Sequence, residues 1–304
     1  MTKNPPFSPK VIIVTLNWNG KEDTLECLAS LNKINYPNFE IVVSDNGSID
    51  GSIDAIRTQF QEVHLIQNGT NLGYAKGFNS GLEYAFMNGA DYVLIINNDT
   101  RVDSNVLNAL VQIAESDKNI GFVSGKVYFY DDPNKIQTVG RHNHPFFLTD
   151  KLVGYGEDDL GQYDQVKEYD FLDDVFLLVS KKAYEATGGY NPNFFLYYEE
   201  TDWCARIRKA GFKIVYTPHA KIWHKLGRST GGDKGPIYTY YITRNQILFI
   251  RRNSATKYFL RYLVYLAIIS PRRVARWLKY KRFTLISAYF RGLGSGFVWL
   301  IKGK

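Results

Sequence analysis

The chain has 304 residues, 45% hydrophobic and 22% charged, enough for one large globular domain or a domain plus an appendage, and its composition excludes disorder and collagen-like repeats. The net charge of +7 is unevenly placed: residues 1–233 carry 22 Lys and Arg against 30 Asp and Glu, whereas residues 234–304 carry 15 Lys and Arg and no acid. Such a tail seeks a polyanion, either nucleic acid or an anionic membrane surface. The two cysteines, Cys27 and Cys204, show no zinc spacing, and the N-terminus lacks the apolar core of a signal peptide, so a cytoplasmic setting is expected.

Val11 to Leu16 is apolar and β-branched and predicts a buried strand. Thr24 to Leu31 predicts a helix, Phe39 to Ser44 a strand, and Asp50 to Phe60 a helix with Asp50 as N-cap. A third strand follows at Val63 to Gln67, a helix with small residues on one face at Gly73 to Met87, and a fourth strand at Tyr92 to Ile96. Asp103 to Glu115 predicts a helix and Gly121 to Tyr128 a strand. This alternation means βαβ units and an α/β fold with a mostly parallel sheet. Residues 129–172 are polar and irregular and read as an insertion or lid. Asp174 to Ser180 returns to strand, Glu199 to Ala210 to helix, and Phe212 to Tyr216 to strand.

Open sheets of this kind bind ligands beyond the carboxyl ends of their strands. Three polar clusters fall there: Thr15 to Gly20, Asp45 to Ser48, and Asn97-Asn98-Asp99. Asp99, just after a buried strand, suits a hard divalent cation and its bound diphosphate, and an ordinary turn is the plainer alternative. Asp45 can accept a hydrogen bond from a base N–H, although Asp-Asn-Gly is also a common turn. Gly73, Gly77 and Gly81 share one helix face, which suits close packing on the sheet, and the helix start beside Lys76 favours phosphate. Glu199, Glu200 and Asp202 open a predicted helix, where the dipole favours acids. Their aromatic neighbours would desolvate a carboxylate and raise its pKa, as a general base requires. His224 precedes a basic loop rich in Gly and Ser that suits a phosphate-holding lid, and its imidazole would complete the coordination begun by Asp99.

Together and in this order, these motifs resemble family 2 glycosyltransferases with the GT-A fold, in the rhamnosyltransferase-like branch. The residues carrying the resemblance are Val14 to Gly20, Asp45 to Ser48, Asn71 to Gly81, Asn97 to Asp99, Gly188-Gly189-Tyr190, Glu199 to Trp203, and His224 with Gly227 and Ser229. The resemblance implies that Thr15, Asn17 and Asp45 hold the nucleoside, with Asn97 and Asn98 beside the donor. Asn97 takes the first place of the family's D-x-D motif, where Asp is common. Asp99 takes the last place and would bind Mg²⁺ or Mn²⁺ with the donor diphosphate, and His224 matches a later metal-binding histidine. Glu200 stands where the family usually has the Asp that acts as catalytic base, with Glu199, Asp202 and Trp203 around it. Asp174 falls where many relatives have Gly beside the acceptor. The implied reaction is a single displacement that inverts the anomeric carbon, with a nucleotide-sugar donor and a saccharide or polyprenyl-linked acceptor of surface polysaccharide synthesis.

The division expected is a catalytic domain at 1–233 and a basic, aromatic-rich helical tail at 234–304. Tyr258 to Ser270 is too short to span a bilayer, and Phe283 to Ile301 has Arg291 at its centre. Helices lying on the anionic inner face of the cell membrane are the preferred reading, with Pro271 dividing two of them. A packed helical bundle and an oligomer interface are the alternatives. Two other functions compete. A sugar nucleotidyltransferase would more often show a Gly-rich loop with Arg and Lys after the first strand, where Asn17-Trp18-Asn19-Gly20 stands. A nucleic-acid binder would use the tail, but long aliphatic runs are unlike a solvated groove, so no nucleic-acid partner is expected.

Overall fold

The computed structural model describes residues 8–143, 150–225 and 235–302. The first half runs β1 (Val11–Asn17), α1 (Lys21–Leu31), β2 (Phe39–Asp45), α2 (Ser52–Gln59), β3 (His64–Gln67), α3 (Gly73–Met87), β4 (Tyr92–Asn97), β5 (Thr100–Val102) and α4 (Val106–Ser116). The second half runs β6 (Ile120–Phe129), β7 (Ile136–Thr138), β8 (Gly140–Asn143), β9 (Asp150–Val153), β10 (Lys167–Glu168), β11 (Phe176–Ser180), α5 (Lys181–Thr187), α6 (Glu199–Lys209) and β12 (Lys213–His224). Three helices follow: α7 (Pro236–Asn253), α8 (Thr256–Lys279) and α9 (Phe283–Lys302).

The main sheet has the order β10-β12-β6-β11-β4-β1-β2-β3, with β5 added to β12 and β7 to β6. The pairs β1–β2, β1–β4, β2–β3 and β6–β12 are parallel. The expected strand at Asp174 to Ser180 forms as β11, but it runs antiparallel to both β4 and β6. The sheet is therefore mixed though mostly parallel at its centre, and helices cover both faces. One core joins α3, α5, α6 and α7 to one face, and a second joins α1 and α4 to the other. Strands buried on both faces read as continuous apolar runs, which is why β1, β2 and β4 were visible in the sequence.

The glycine face of α3 sets how closely that helix approaches the strand ends. A Cβ on Gly81 would come within 2.3 Å of Val14, and one on Gly77 within 2.6 Å of Leu16. Either would push the helix off β1.

Four local expectations change. The helix after β2 starts at Ser52, behind Gly51 in the left-handed region, so Asp50 is not its N-cap. Its carboxylate instead accepts from the Ser52 N–H and hydroxyl and from the Lys21 N–H. Residues 129–172, expected to be irregular, supply four short strands, of which β8 and β9 pair as a separate small sheet. α5 was not anticipated. Finally, Pro271 lies inside α8 and divides nothing. The Pro271 ring removes one backbone donor, and beside it the Ser270 hydroxyl donates to the Leu266 carbonyl at 2.6 Å.

The compositional change at residue 234 is not a boundary in packing. Ile247, Leu248, Phe249 and Ile250 of α7 are buried in the same core as α3 and α6. Arg244 donates to the Asn193 carbonyl, and Asn253 donates to Asp202 on α6. Gly292 and Gly296 let α9 close onto α7, where a Cβ would come within 2.7 Å of the Tyr240 carbonyl or of Ile247.

Candidate active site

Register brings three strand ends to one edge. Asn17 of β1 pairs with Asp45 of β2, and Leu16 pairs with Asn97 of β4. Asn17 and Asp45 are fully buried. Asn17 Nδ2 lies 2.8 Å from Asp45 Oδ2 and 2.8 Å from Ser52 Oγ, while its Oδ1 accepts from the Thr24 hydroxyl at 2.9 Å. Asp45 Oδ1 accepts the Gly47 and Ser48 N–H groups at 2.9 Å each. These two residues thus brace the loops that end β1 and β2. Thr15 is buried behind them, and its hydroxyl has no partner among the described residues. Asn98 joins the brace by donating to Thr24 at 2.8 Å. The same loops push Trp18 outward, leaving it 50% exposed at the rim. Sequence reading passed over Trp18 because a single aromatic beside a turn has no pattern.

Asp99 and His224 meet. β12 extends past the predicted end at Tyr216 because its last residues pair with β5, setting His224 opposite Thr100. The Lys225 N–H closes this end by donating to the Asp99 carbonyl at 2.9 Å. His224 Nε2 then lies 3.1 Å from Asp99 Oδ1, while Nδ1 lies 2.9 Å from Gln137 Oε1. With Nδ1 paired to that amide oxygen, Nε2 is the ring nitrogen turned to the Asp99 carboxylate. Two neighbouring ligands on an octahedral ion with bonds of about 2.1 Å stand about 3 Å apart, so this pair fits a divalent cation. Lys225 anchors the strand end to α1 through Asp23 and Glu26.

A second cluster lies around the start of α6. Asp174, Glu199 and Glu200 bring one carboxylate oxygen each within 4.8 Å of one another. Burial, and next the charge of Glu200, push the Asp174 carboxyl up to about 8. Glu199 is raised well above its usual value by burial and then by Glu200 and Asp174, and its Oε2 is buried with no partner among the described residues. Burial therefore favours the protonated form of both. Glu200 differs, because Arg141 Nη2 reaches its Oε1 at 2.9 Å. The guanidinium also sits 3.1 Å from Asp173 Oδ1. The Arg141 guanidinium already places a positive charge on this trio, so the Asp99–His224 pair is the better metal candidate, and Glu200 is the member of the trio that the guanidinium holds.

Two tyrosines to which the sequence assigns no role, Tyr74 and Tyr190, connect the clusters. Tyr74 donates to Asn97 Oδ1 at 3.0 Å, and Tyr190 donates to Asp174 Oδ2 at 2.7 Å. Burial raises both hydroxyls well above their usual value, so they act as donors. Gly188-Gly189-Tyr190 was the only signal for Tyr190. Just before α6, Tyr197 and Tyr198 hold φ of 66° and 72°, a region that costs a non-glycine residue about 1 kcal/mol or more. Asn245 of α7 holds this turn, its Nδ2 lying 2.8 Å from both the Leu196 and Tyr197 carbonyls.

Three of the candidate positions are held by the protein's own frame. Asp202 is fully buried and pairs with Arg206 at 2.8 Å and with Asn253, fastening α6 to α7. Trp203 is fully buried, donates to Thr187 at 3.0 Å and packs on Tyr190, so it belongs to the core. The start of α3 is closed by its own chain: the Gly73 and Tyr74 N–H groups go to Asn71 Oδ1 and the Phe195 carbonyl. Gly73 serves that contact, since a Cβ would come within 2.4 Å of the Phe195 ring, and Lys76 is exposed beyond it. The Gly- and Ser-rich loop with Gly227 and Ser229 lies outside the described residues.

An open α/β sheet with the Asp99–His224 pair and an acidic cluster at its carboxyl edge has the layout of a ligand-binding enzyme site. The chain belongs to glycosyltransferase family 2, whose model, described as glycosyl transferase family 2, matches residues 10–176. It is 29% identical over 241 residues to an N-acetylglucosaminyl-diphospho-decaprenol L-rhamnosyltransferase of Mycobacterium tuberculosis, covering 73% of this chain and 78% of the relative. It is 24% identical over 260 residues to the dTDP-rhamnosyl transferase RfbF of Shigella flexneri, covering 81% and 82%. These relatives are those of the rhamnosyltransferase-like branch. Two solved structures share the GT-A fold at 14% identity. The mannosyltransferase PcManGT of Pyrobaculum calidifontis, in complex with GDP-Man and Mn²⁺, aligns with TM-score 0.58 over 97% of this chain and 89% of its own. GalNAc-T7 with UDP, GalNAc and Mn²⁺ aligns with TM-score 0.64 over 80% of this chain and 48% of its own.

Proposed function

We propose that the protein moves a sugar from a dTDP- or UDP-sugar to a hydroxyl of a lipid-linked saccharide in surface polysaccharide synthesis, with inversion, at the inner face of the cell membrane. The observation that carries the reading is the Asp99–His224 contact at the carboxyl edge of the sheet. The names of the rhamnosyl relatives, and the Mn²⁺ and nucleotides in the solved neighbours, support it.

Asp99 and His224 would hold Mg²⁺ or Mn²⁺, which when bound supplies the positive charge that a departing diphosphate needs. Trp18 offers a face on which a nucleobase can stack. Glu200 takes the proton from the acceptor hydroxyl as that oxygen attacks the anomeric carbon. The bond to the nucleoside diphosphate breaks on the opposite side, so the configuration inverts. Arg141 orients Glu200, and the neutral Glu199 and Asp174 flank it without adding charge that would repel the donor. Residues 234–304 then divide their work: α7 completes the catalytic unit, and α8 and α9 carry the surface that meets the membrane. Of the described helices, α9 is the one long and apolar enough to cross a bilayer. Its close contact with α7 and the central Arg291 favour a peripheral placement.

The test is release of nucleoside diphosphate from a panel of nucleotide sugars, with and without Mn²⁺. Asp99→Ala should lower it about 100-fold or more. Undiminished metal-dependent release by that variant would sink the reading.

A further inference from the structure

A cavity of about 540 Å³ lies between α7 and α9, lined in part by Arg244, Arg291, Tyr240 and Trp299. Neither arginine has a carboxylate partner among the described residues, and residues 234–304 contain no acid to supply one. Arg244 Nη1 is occupied by the Asn193 carbonyl at 3.0 Å and Asn245 Oδ1 at 2.8 Å, and the guanidinium has other N–H groups besides. Arg291 lies over the Tyr240 ring at 5.7 Å. The Trp299 indole N–H is buried with no partner among the described residues. Two guanidinium groups without carboxylate partners around one cavity make a receptor for an anion, and planar N–H forks suit phosphate oxygens.

Two contact paths say what kind of anion. Inward, Tyr240 meets Tyr241 at 4.9 Å, Tyr241 stacks on Phe195 at 5.4 Å, and the Phe195 carbonyl accepts the Tyr74 N–H. Tyr74 is the residue that donates to Asn97. The cavity is thus connected to the catalytic edge through packed aromatic side chains and one backbone hydrogen bond. Outward, Val298 lines the cavity and also belongs to an exposed apolar face of α9 with Phe290, Phe297 and Ile301. An anion that carries hydrocarbon on its outer side and points its other side toward the catalytic edge matches both paths.

Building on the lipid-linked acceptor of the proposed function, we propose that this cavity holds the acceptor's diphosphate, with Arg244 and Arg291 on its oxygens and the prenyl chain along α9. The two arginines would then place the acceptor sugar by gripping the phosphates behind it.

Binding of farnesyl diphosphate to the full chain, in EDTA to silence the metal site, tests this directly. Calorimetry should show binding that Arg291→Gln weakens about tenfold, with Arg291→Lys between the two. Arg291 is exposed, and circular dichroism checks that the variants keep the fold. Equal binding by Arg291→Gln overturns the proposal. Inorganic pyrophosphate binding as tightly as farnesyl diphosphate overturns the lipid source, as does displacement by phosphatidylglycerol vesicles. Thermal stabilisation by UDP or dTDP with Mn²⁺ reads the donor end separately. A chain stabilised by nucleotide that does not bind farnesyl diphosphate loses this inference and keeps the transferase reading. Farnesyl diphosphate binding with no nucleotide effect supports the cavity and counts against the transferase.

Discussion

Arg141 Nη2 donates to Glu200 Oε1 at 2.9 Å, joining the small β8–β9 sheet to the first turn of α6 across 59 residues. The segment that carries Arg141 reads in sequence as an irregular lid, yet it supplies the cation beside the proposed base. The backbone fixes it there, because Arg141 and Phe171 exchange N–H and carbonyl bonds at 2.9 and 3.1 Å. Arg141→Gln should lower kcat about 100-fold, and Arg141→Lys should recover part of the loss. Steady-state kinetics with saturating donor checks both, and unchanged kcat in Arg141→Gln would remove Arg141 from the mechanism.

Gly73 and Gly89 make a controlled pair. Both hold positive φ, 79° and 81°, but a Cβ on Gly73 meets the Phe195 ring and carbonyl, whereas one on Gly89 meets nothing within 4 Å. Gly89→Ala should cost about 1 kcal/mol from backbone strain alone. Gly73→Ala should cost about 1–3 kcal/mol more from overpacking. Urea denaturation midpoints measure the difference, and equal costs would refute the close Phe195 contact.

Asp174 predicts a pH effect on stability. Its carboxyl rises from an ordinary 3.8 to about 8, chiefly through burial. Between those values the native state holds a proton that the unfolded chain has lost, so stability falls as pH rises through the window. Asp174→Asn cannot titrate there, so its stability should fall less steeply between pH 5 and 8, at about those limits. Glu199 shifts in the same direction, so part of the slope stays. Melting temperatures of both proteins across that range are the measurement, and parallel slopes would count against a buried neutral Asp174.

The Asn245 bonds to the Leu196 and Tyr197 carbonyls hold two tyrosines in the left-handed region before Glu199. Asn245→Ala should cost about 2–3 kcal/mol, from two lost hydrogen bonds and a turn left without support. It should also lower kcat, since the turn aims α6. Denaturation and kinetics on one preparation separate the two effects, and a stable variant with full kcat would contradict this role.

The outer face of α8 predicts membrane behaviour. Leu260, Val264 and Ile268 lie four residues apart and are 57%, 61% and 51% exposed. Arg261, Arg272, Arg276 and Lys279 fall along one side of that stripe. A helix with apolar residues down and cations beside them fits an anionic bilayer surface. Val264→Glu with Ile268→Glu should abolish sedimentation with phosphatidylglycerol vesicles while leaving the protein folded. Retention on vesicles by the double variant would point to another surface.

By itself the sequence determined the parallel half of the sheet and the order of the motifs along its edge. Buried strands such as β1 and β4 must be apolar throughout, and a carboxyl end must carry the polar residues that meet a ligand. That local logic was enough to bring Asp99 and His224 into one reading, though 125 positions separate them. Only the tertiary structure decided which partners each of these polar residues meets. Asn17, Asp45 and Asp202 stand out in sequence only as polar residues, and it is the fold that gives them Thr24, Gly47 and Arg206 as partners. The same holds for Arg141, Tyr74, Asn245 and the Arg244–Arg291 cavity, whose partners come from distant segments. Hydrogen bonding and charge neutralisation act through space, so a carboxylate's role depends on donors that no local window of sequence contains.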